Sequence, residues 1–370
     1  MSGGAPVAIS LPPDLETPCL VIDLDVVEAN AARMAAAMAA RGIALRPHAK
    51  THKSVRLAQL QLAAGAIGVT VGTLGEAEVM AAGGIEDVFI AYPLWAAGPR
   101  AERLRALLGR PGLRLSVGVD SADGALQLAR AAGPQSSLRV LVEVDPGNGR
   151  TGVAPARAAE VATAAQAAGL DVEGAFTHGG HAYAGLERVG AAAADEIAAL
   201  SVAADALRAV GIEPRVLSAG SSPTARAAAA APVTEMRPGT YLLGDRQQVA
   251  LGASPPEGVA LAVAATVVST AVDGQVVIDA GAKSLTKDLP AYLAGYGWLP
   301  AYPAGTIERV SDYHGVVAFP AGTPRPALGE VVAVVPNHAC PVIDLYDSFV
   351  ATRSGMAVGR WPVDARGRSG

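Results

Sequence analysis

The sequence is poor in cysteine, in aromatic side chains and in charge. Among its 370 residues only Cys19 and Cys340 carry a thiol. Two cysteines make no disulfide framework and fit a reducing compartment. Charged residues are 17% and aromatic residues 4% of the chain, and 29 basic against 34 acidic side chains leave a formal net charge of −5. Such a balance supplies no basic face to offset nucleic-acid phosphates. The apolar stretches are Ala/Gly-rich and broken by charge or proline, so none reads as a membrane span. Met1-Ser2-Gly3-Gly4-Ala5-Pro6 lacks the basic-then-apolar layout of a signal peptide. These exclusions leave a cytoplasmic globular protein with no membrane or nucleic-acid partner, long enough for a sizeable core.

What the chain does have is rhythm. Short apolar runs of strand length alternate with Ala/Leu segments of helical period. Cys19–Asp23 precedes a helix capped by Asp25 and ending at Gly42. The pairs that follow are Ile43–Pro47 with Val55–Ala64, Gly68–Val71 with Leu74–Ala82, and Val88–Tyr92 with Ala101–Leu108. Leu113–Val119 with Ala122–Ala132, Leu138–Val144 with Pro155–Ala168, Val172–Phe176 with Ala191–Val210, and Arg215–Ser218 with Pro223–Ala230 continue the series. About eight strand–helix units on short connections predict a closed (β/α)8 TIM barrel, with an open doubly wound sheet as the alternative. Beyond Gly244 the period changes. Val259–Thr270, Gln275–Asp279 and Val331–Val335 read as strands, with a turn at Asp273-Gly274 and no long helical pattern. The expected domains are a barrel over residues 23–245 and a mostly-β domain from 1–22 plus 246–370, with Gly367–Gly370 as a loose tail.

Chemistry concentrates where barrel strands should end. Of six histidines, His48 and His52 flank Lys50 after the second strand, and His178 and His181 follow Val172–Phe176. Barrels build their sites at the C-terminal ends of strands. Arg46, Lys53 and two histidines around Lys50 disfavour its ammonium form, as a Schiff-base lysine requires. Leu217 to Thr224 is a Gly/Ser-rich turn leading into the Pro223 helix, whose amides and hydroxyls at Ser221, Ser222 and Thr224 suit a phosphate. Arg237-Pro238-Gly239-Thr240-Tyr241 is a second such turn, and Asp145 to Gly152 brings Arg150 to the same rim. His338-Ala339-Cys340, read as extended, sets an imidazole and a thiol on one side, a weak pattern for a borderline-soft ion such as zinc.

Taken in order, these motifs resemble the D-serine dehydratase and D-threonine aldolase family of pyridoxal-phosphate enzymes. Thr17 to Asp23, Pro47 to Lys53, Asp145 to Gly152, His178 to Tyr183, Ser218 to Thr224, Asp279 to Gly281 and Pro336 to Cys340 carry the resemblance. It implies an alanine-racemase-like fold, a β domain joined by the N-terminal segment, and a homodimer with sites between one barrel and the partner's β domain. It also implies Lys50 as cofactor lysine and α-proton base, Arg150 at the cofactor ring oxygen, and Tyr183 with His178 along the ring. Ser221, Ser222, Thr224, Gly239, Thr240 and Tyr241 would surround the phosphate. His338 and Cys340 would hold zinc, with manganese or another divalent ion as substitute. His314 matches an acidic-acidic-His-Gly stretch of the family, from which Asp312-Tyr313 departs. Aldolases of the family carry a carboxylate two residues after the metal histidine, whereas Cys340 stands there, as in the dehydratase branch. The expected reaction is dehydration of a D-β-hydroxy amino acid such as D-serine or D-threo-3-hydroxyaspartate to a 2-oxo acid and ammonia. A D-threonine-type aldolase, then an amino-acid racemase, then a cofactor carrier are the alternatives. The metal pair counts against a racemase and the β domain against a carrier.

Overall fold

The computed structural model describes residues 9–134 and 136–370; the Met1–Pro6 segment discussed above lies outside them. Its contacts divide the chain into two compact units. Ala32–Gly239 with Gly367–Gly370 form one, and the chain up to Ala31 with Thr240–Arg366 forms the other. The first division falls inside the continuous helix Leu24–Ala39, where no composition change marks it. Asp23, rather than Asp25, starts that helix: its Oδ1 accepts from the amides of Asp25 at 2.9 Å and Val26 at 3.3 Å.

After β1 (Cys19–Asp23), eight strands make the first unit's sheet: β2 (Ala44–Leu45), β3 (Val69–Val71), β4 (Asp87–Pro93), β5 (Arg114–Val119), β6 (Arg139–Glu143), β7 (Asp171–Phe176), β8 (Val216–Ala219) and β9 (Glu235–Met236). All pair in parallel, from β3 in order through β9 to β2. A parallel bridge between His48 and Thr70 joins the ends, and Thr70 N donates to Pro47 O at 2.7 Å. Sequential order with this closure is a barrel, not an open doubly wound sheet.

Two sequence expectations change here. The alternation counted Cys19–Asp23 as the first barrel strand; β1 instead pairs with strands of the second unit, where the resemblance put the N-terminal segment, and β9 takes the eighth barrel place. A two-residue strand of Glu235 and Met236 offers no apolar run to detect. The segment after β8 forms successive turns rather than the expected Pro223–Ala230 helix.

The barrel interior is layered. Arg46 is buried between Asp87 and Glu235, with its Nε donating to Glu235 at 2.8 Å, and Arg139 Nη1 donates to Glu173 at 2.9 Å. Above lie Phe89 and Phe176, edge to face at 5.1 Å, packed with Leu141. Buried ion pairs of this kind stabilise little but are costly to break singly. The tail expected to be loose is docked. Thr73 Oγ1 donates to Arg368 O at 2.6 Å, and Arg103 Nη2 to Gly370 O at 3.1 Å.

The second unit is a mostly antiparallel sheet of β10 (Leu261–Ser269), β11 (Gln275–Ile278), β12 (Thr306–Val310), β13 (Gly315–Ala318), β14 (Val331–Val334), β15 (Ser348–Arg353) and β16 (Met356–Pro362), with β1 inserted between β10 and β15. β1 runs parallel to β15 and antiparallel to β10, so Cys19 and Val21 pack on Ala264 and Val350. Among the described residues no helix is long and apolar enough to cross a membrane.

Candidate active site

Lys50 rides on a short 3-10 turn, Ala49–Thr51, directly after β2. His48 is extended and its Nδ1 accepts from the Lys50 amide at 3.4 Å, capping the turn. The chain after β9 braces it from the other side. His48 N donates to Pro238 O at 3.0 Å, and a Cβ on Gly239 would lie 2.9 Å from Thr51 Oγ1 and 3.0 Å from His48 O. Only glycine permits that approach.

The two cations expected to press on Lys50 are neutralised elsewhere. Arg46 pairs with Asp87 and Glu235, and Lys53 Nζ lies 3.5 Å from Glu76 Oε1. Buried carboxylates contributed by β4, β9 and the helix Leu74–Ala82 capture them. His52 turns inward, with Nε2 3.1 Å from Gln61 Oε1, and burial lowers it to about 4.

Around Lys50 the loops following later strands converge. His48 and His178 are both held well below the ordinary histidine value, first by burial and then by the charge of Lys50. Arg150 adds to this effect on His178, and Arg237 acts on both rings. Both imidazoles are therefore neutral acceptors or donors, not competing acids. Arg237 is buried, stacked 5.2 Å from the centre of the Phe176 ring, and its Nε donates to Ser218 Oγ at 2.9 Å. It also donates to Thr177 O. Arg150 is half exposed, 3.8 Å from Glu143, at the end of a loop folded around Asp145, whose Oδ1 accepts from the amides of Gly147, Asn148 and Gly149. Tyr183 lies in the 3-10 segment Gly180–Ala184, and His181 Nε2 contacts Asp195 Oδ2 at 3.1 Å.

The turn after β8 buries a cluster of hydroxyls. Ser221, Ser222 and Thr224 are 4%, 6% and 0% exposed, which decides that they face the interior rather than solvent. Ser221 N donates to Thr224 Oγ1 at 3.0 Å. Gly220 has φ +94 and no room for a side chain, since a Cβ would meet Met236 Sδ at 2.0 Å. Buried hydroxyls on a turn closed by glycine fit a phosphate, although turns rather than a helix N-terminus present them. Thr240 and Tyr241 belong to the second unit, in a buried 3-10 turn, Thr240–Leu242.

The second unit holds the His338 and Cys340 pair. His338 is extended, but Cys340 lies in the helix Ala339–Ile343, so the pair straddles a helix start rather than sharing an extended segment. Asp245 Oδ2 accepts from the Ala339 amide at 2.9 Å and Asp288 Oδ2 lies 2.7 Å from His338 Nδ1. Burial opposes a charged His338, yet Cys340, Asp245 and Asp288 raise it to about 9. Burial raises Asp245 to about 6. Among the described residues no group of three or more histidine, cysteine or carboxylate side chains assembles into a metal cluster, so this pair supplies two donors alone. His314 lies in the exposed turn between β12 and β13, beside Asp312 and Tyr313, which contact Lys283 instead.

Sequence reasoning missed Glu143, Glu196, Arg237 and Asp288. Glu196 left a signal. It falls on the apolar stripe Ala192, Ala193, Glu196, Ala199, Leu200, Ala203 of its helix, where a carboxylate needs a reason.

A model of the alanine racemase N-terminal domain matches residues 22–247, and one of a putative serine dehydratase domain matches 260–352. The D-threo-3-hydroxyaspartate dehydratase of Delftia sp. (strain HT23) is 35% identical, over 94% of this chain and 97% of its own. The D-threonine aldolase of Arthrobacter sp. is 36% identical, over 96% and 94%. A solved D-threo-3-hydroxyaspartate dehydratase, a cysteine-to-alanine variant in the metal-free form, matches with TM-score 0.86 at 33% identity, over 94% of this chain and 97% of that one.

Proposed function

The chain belongs to the alanine-racemase-like family of pyridoxal-phosphate lyases that includes these dehydratases and aldolases, and from that premise we propose a D-β-hydroxy amino acid dehydratase. The substrate class is D-threo-3-hydroxyaspartate or D-serine, the products a 2-oxo acid and ammonia. One observation carries the reading: Lys50 stands on a capped, braced turn at the strand ends, electrostatically coupled to His48 and His178, with Arg237 acting on both imidazoles and Arg150 on His178.

Pyridoxal phosphate, when bound, withdraws electrons from the bond broken at Cα. Lys50 would hold its aldehyde, and the Lys50 amine would take the substrate's α-proton. Arg150 would bind the ring oxygen, with Tyr183 and His178 along the ring. Held well below the ordinary histidine value, His48 and His178 would be weaker bases than the Lys50 amine. Ser221, Ser222, Thr224 and Gly239, with Thr240 and Tyr241, would hold the phosphate. In the second unit Asp288 holds His338 Nδ1, and a divalent ion would bind at Nε2 together with the Cys340 sulfur. Nitrogen and thiolate donors suit zinc, and two protein ligands leave open positions for water and substrate, as a catalytic site needs. The ion would make the β-hydroxyl a better leaving group. A homodimer in the cytoplasm completes the proposal.

The nearly equal identities, 35% and 36%, do not separate dehydratase from aldolase. Sulfur rather than carboxylate at position 340 favours dehydration. The deciding experiment incubates the protein with D-threo-3-hydroxyaspartate, D-serine and D-threonine and identifies the products. A 2-oxo acid with ammonia supports the proposal; glycine with an aldehyde replaces it by the aldolase.

A further inference from the structure

Where β7 and β8 stop pairing, one side chain takes over from the ladder. The last backbone bond between them runs from Thr177 N to Ser218 O at 2.9 Å. Beyond it the two chains part, toward His178 on one side and Ser221 on the other. Glu196, from the helix Val189–Ala209, is fully buried in the gap. Its Oε1 accepts from both strands' continuations, Gly179 N at 2.8 Å and Gly220 N at 3.0 Å. Thr224 lies close enough to act on the carboxylate, although no hydrogen bond of normal geometry joins them, and its hydroxyl accepts from Ser221 N at 3.0 Å and sits 3.1 Å from Ser221 Oγ.

A carboxylate oxygen can accept two amides at once where a carbonyl in a ladder serves one, and charge strengthens both bonds. No apolar residue on this helix stripe could do the same. Through Gly220 N the carboxylate fixes the residue directly before Ser221, and Thr224 then holds Ser221 by its amide. Resting on the reading that the barrel holds pyridoxal phosphate, we propose that Glu196 is a positioning residue for its phosphate. It fixes the Ser221–Thr224 cup and ties that cup to the His178 loop, without touching the cofactor.

The test compares affinities for pyridoxal 5′-phosphate and for pyridoxal, which lacks the phosphate, by the visible absorbance of the vitamer bound at Lys50. Wild-type protein should prefer the phosphorylated form. Glu196→Ala should shrink that preference about tenfold or more while leaving pyridoxal affinity nearly unchanged. Glu196→Gln retains an acceptor for the two glycine amides but loses the charge that strengthens both bonds. Its preference should fall about threefold, and this variant decides the matter if Glu196→Ala does not fold. Equal weakening of both vitamers, or an unchanged ratio in Glu196→Gln, overturns the positioning role while the cofactor assignment stands. Wild-type protein that binds neither vitamer at Lys50 overturns the assignment and this inference together.

Discussion

Histidine is used in opposite ways in the two units. In the barrel, His52 is buried and His48 and His178 partly so, and all three are held neutral, two of them among cations as well. In the second unit, His338 has carboxylates and a thiol as neighbours and is pushed to about 9. The neighbours, more than the burial that all four share, decide the charge. A site built around a nucleophilic amine gains from imidazoles that hold no positive charge beside it. A site built around donors of negative charge invites a cation, and without a metal a proton fills that role.

The sharpest way to break this comparison is at the amine. Lys50→Ala should lower product formation about 10^3-fold or more with circular dichroism unchanged. Retained turnover would leave the barrel histidines with no amine to serve. The neutral state of His52 makes a stability prediction of its own. Its folded value of about 4 lies below the unfolded value near 6.5, so between these the unfolded chain binds the extra proton. Stability present above pH 6.5 is therefore lost as pH falls toward 4, by about 3 kcal/mol from this group. Urea unfolding from pH 7 to 4 measures the slope, and His52→Gln should reduce it by one proton; an unaltered slope would contradict a neutral buried ring.

On the other side of the comparison, Asp288→Asn should weaken divalent-ion affinity about 10- to 100-fold, measured by competition with a chromophoric chelator. Unchanged affinity would mean that Asp288 does not orient His338. Cys340→Ala should lose activity that added zinc does not restore, and wild-type protein should lose it on dialysis against chelator. Arg150→Ala, half exposed and loosely held by Glu143, should have the smallest effect, a modest weakening of cofactor retention read by dialysis and absorbance.

The alternation of apolar runs with helical segments made most of the barrel legible, because strands buried on both faces must be continuously apolar. It failed at β1 and β9. β1 is as apolar as any barrel strand, and nothing in Cys19-Leu20-Val21-Ile22-Asp23 says which sheet it joins. β9 is two residues long and carries Glu235, whose partners Arg46 and Ser218 are distant in sequence. The strands β12, β13, β15 and β16 also escaped; β16, at the sheet edge, is exposed along nearly all its length and so carries little apolar signal.

Lys50 and the glycine turns stood out because their chemistry is local, set by a few adjacent residues. Glu196 and Asp288 did not, because each acts on groups far along the chain, Gly220 and His338. The expectation that Arg46 and Lys53 surround Lys50 as free cations failed on the same ground, since Asp87, Glu235 and Glu76 reach them only through the fold.

By itself, then, the order of residues determined the alternating architecture, the lysine, the glycine turns and the histidine–cysteine pair, all of which depend on periodicity and nearest neighbours. Only the tertiary structure decided which strand closes the barrel in place of β1, which cations are neutralised, which imidazoles stay uncharged and which carboxylate clamps two parting strands. Those outcomes are set by burial and by through-space distances of a few ångströms, and neither quantity exists until the chain has folded.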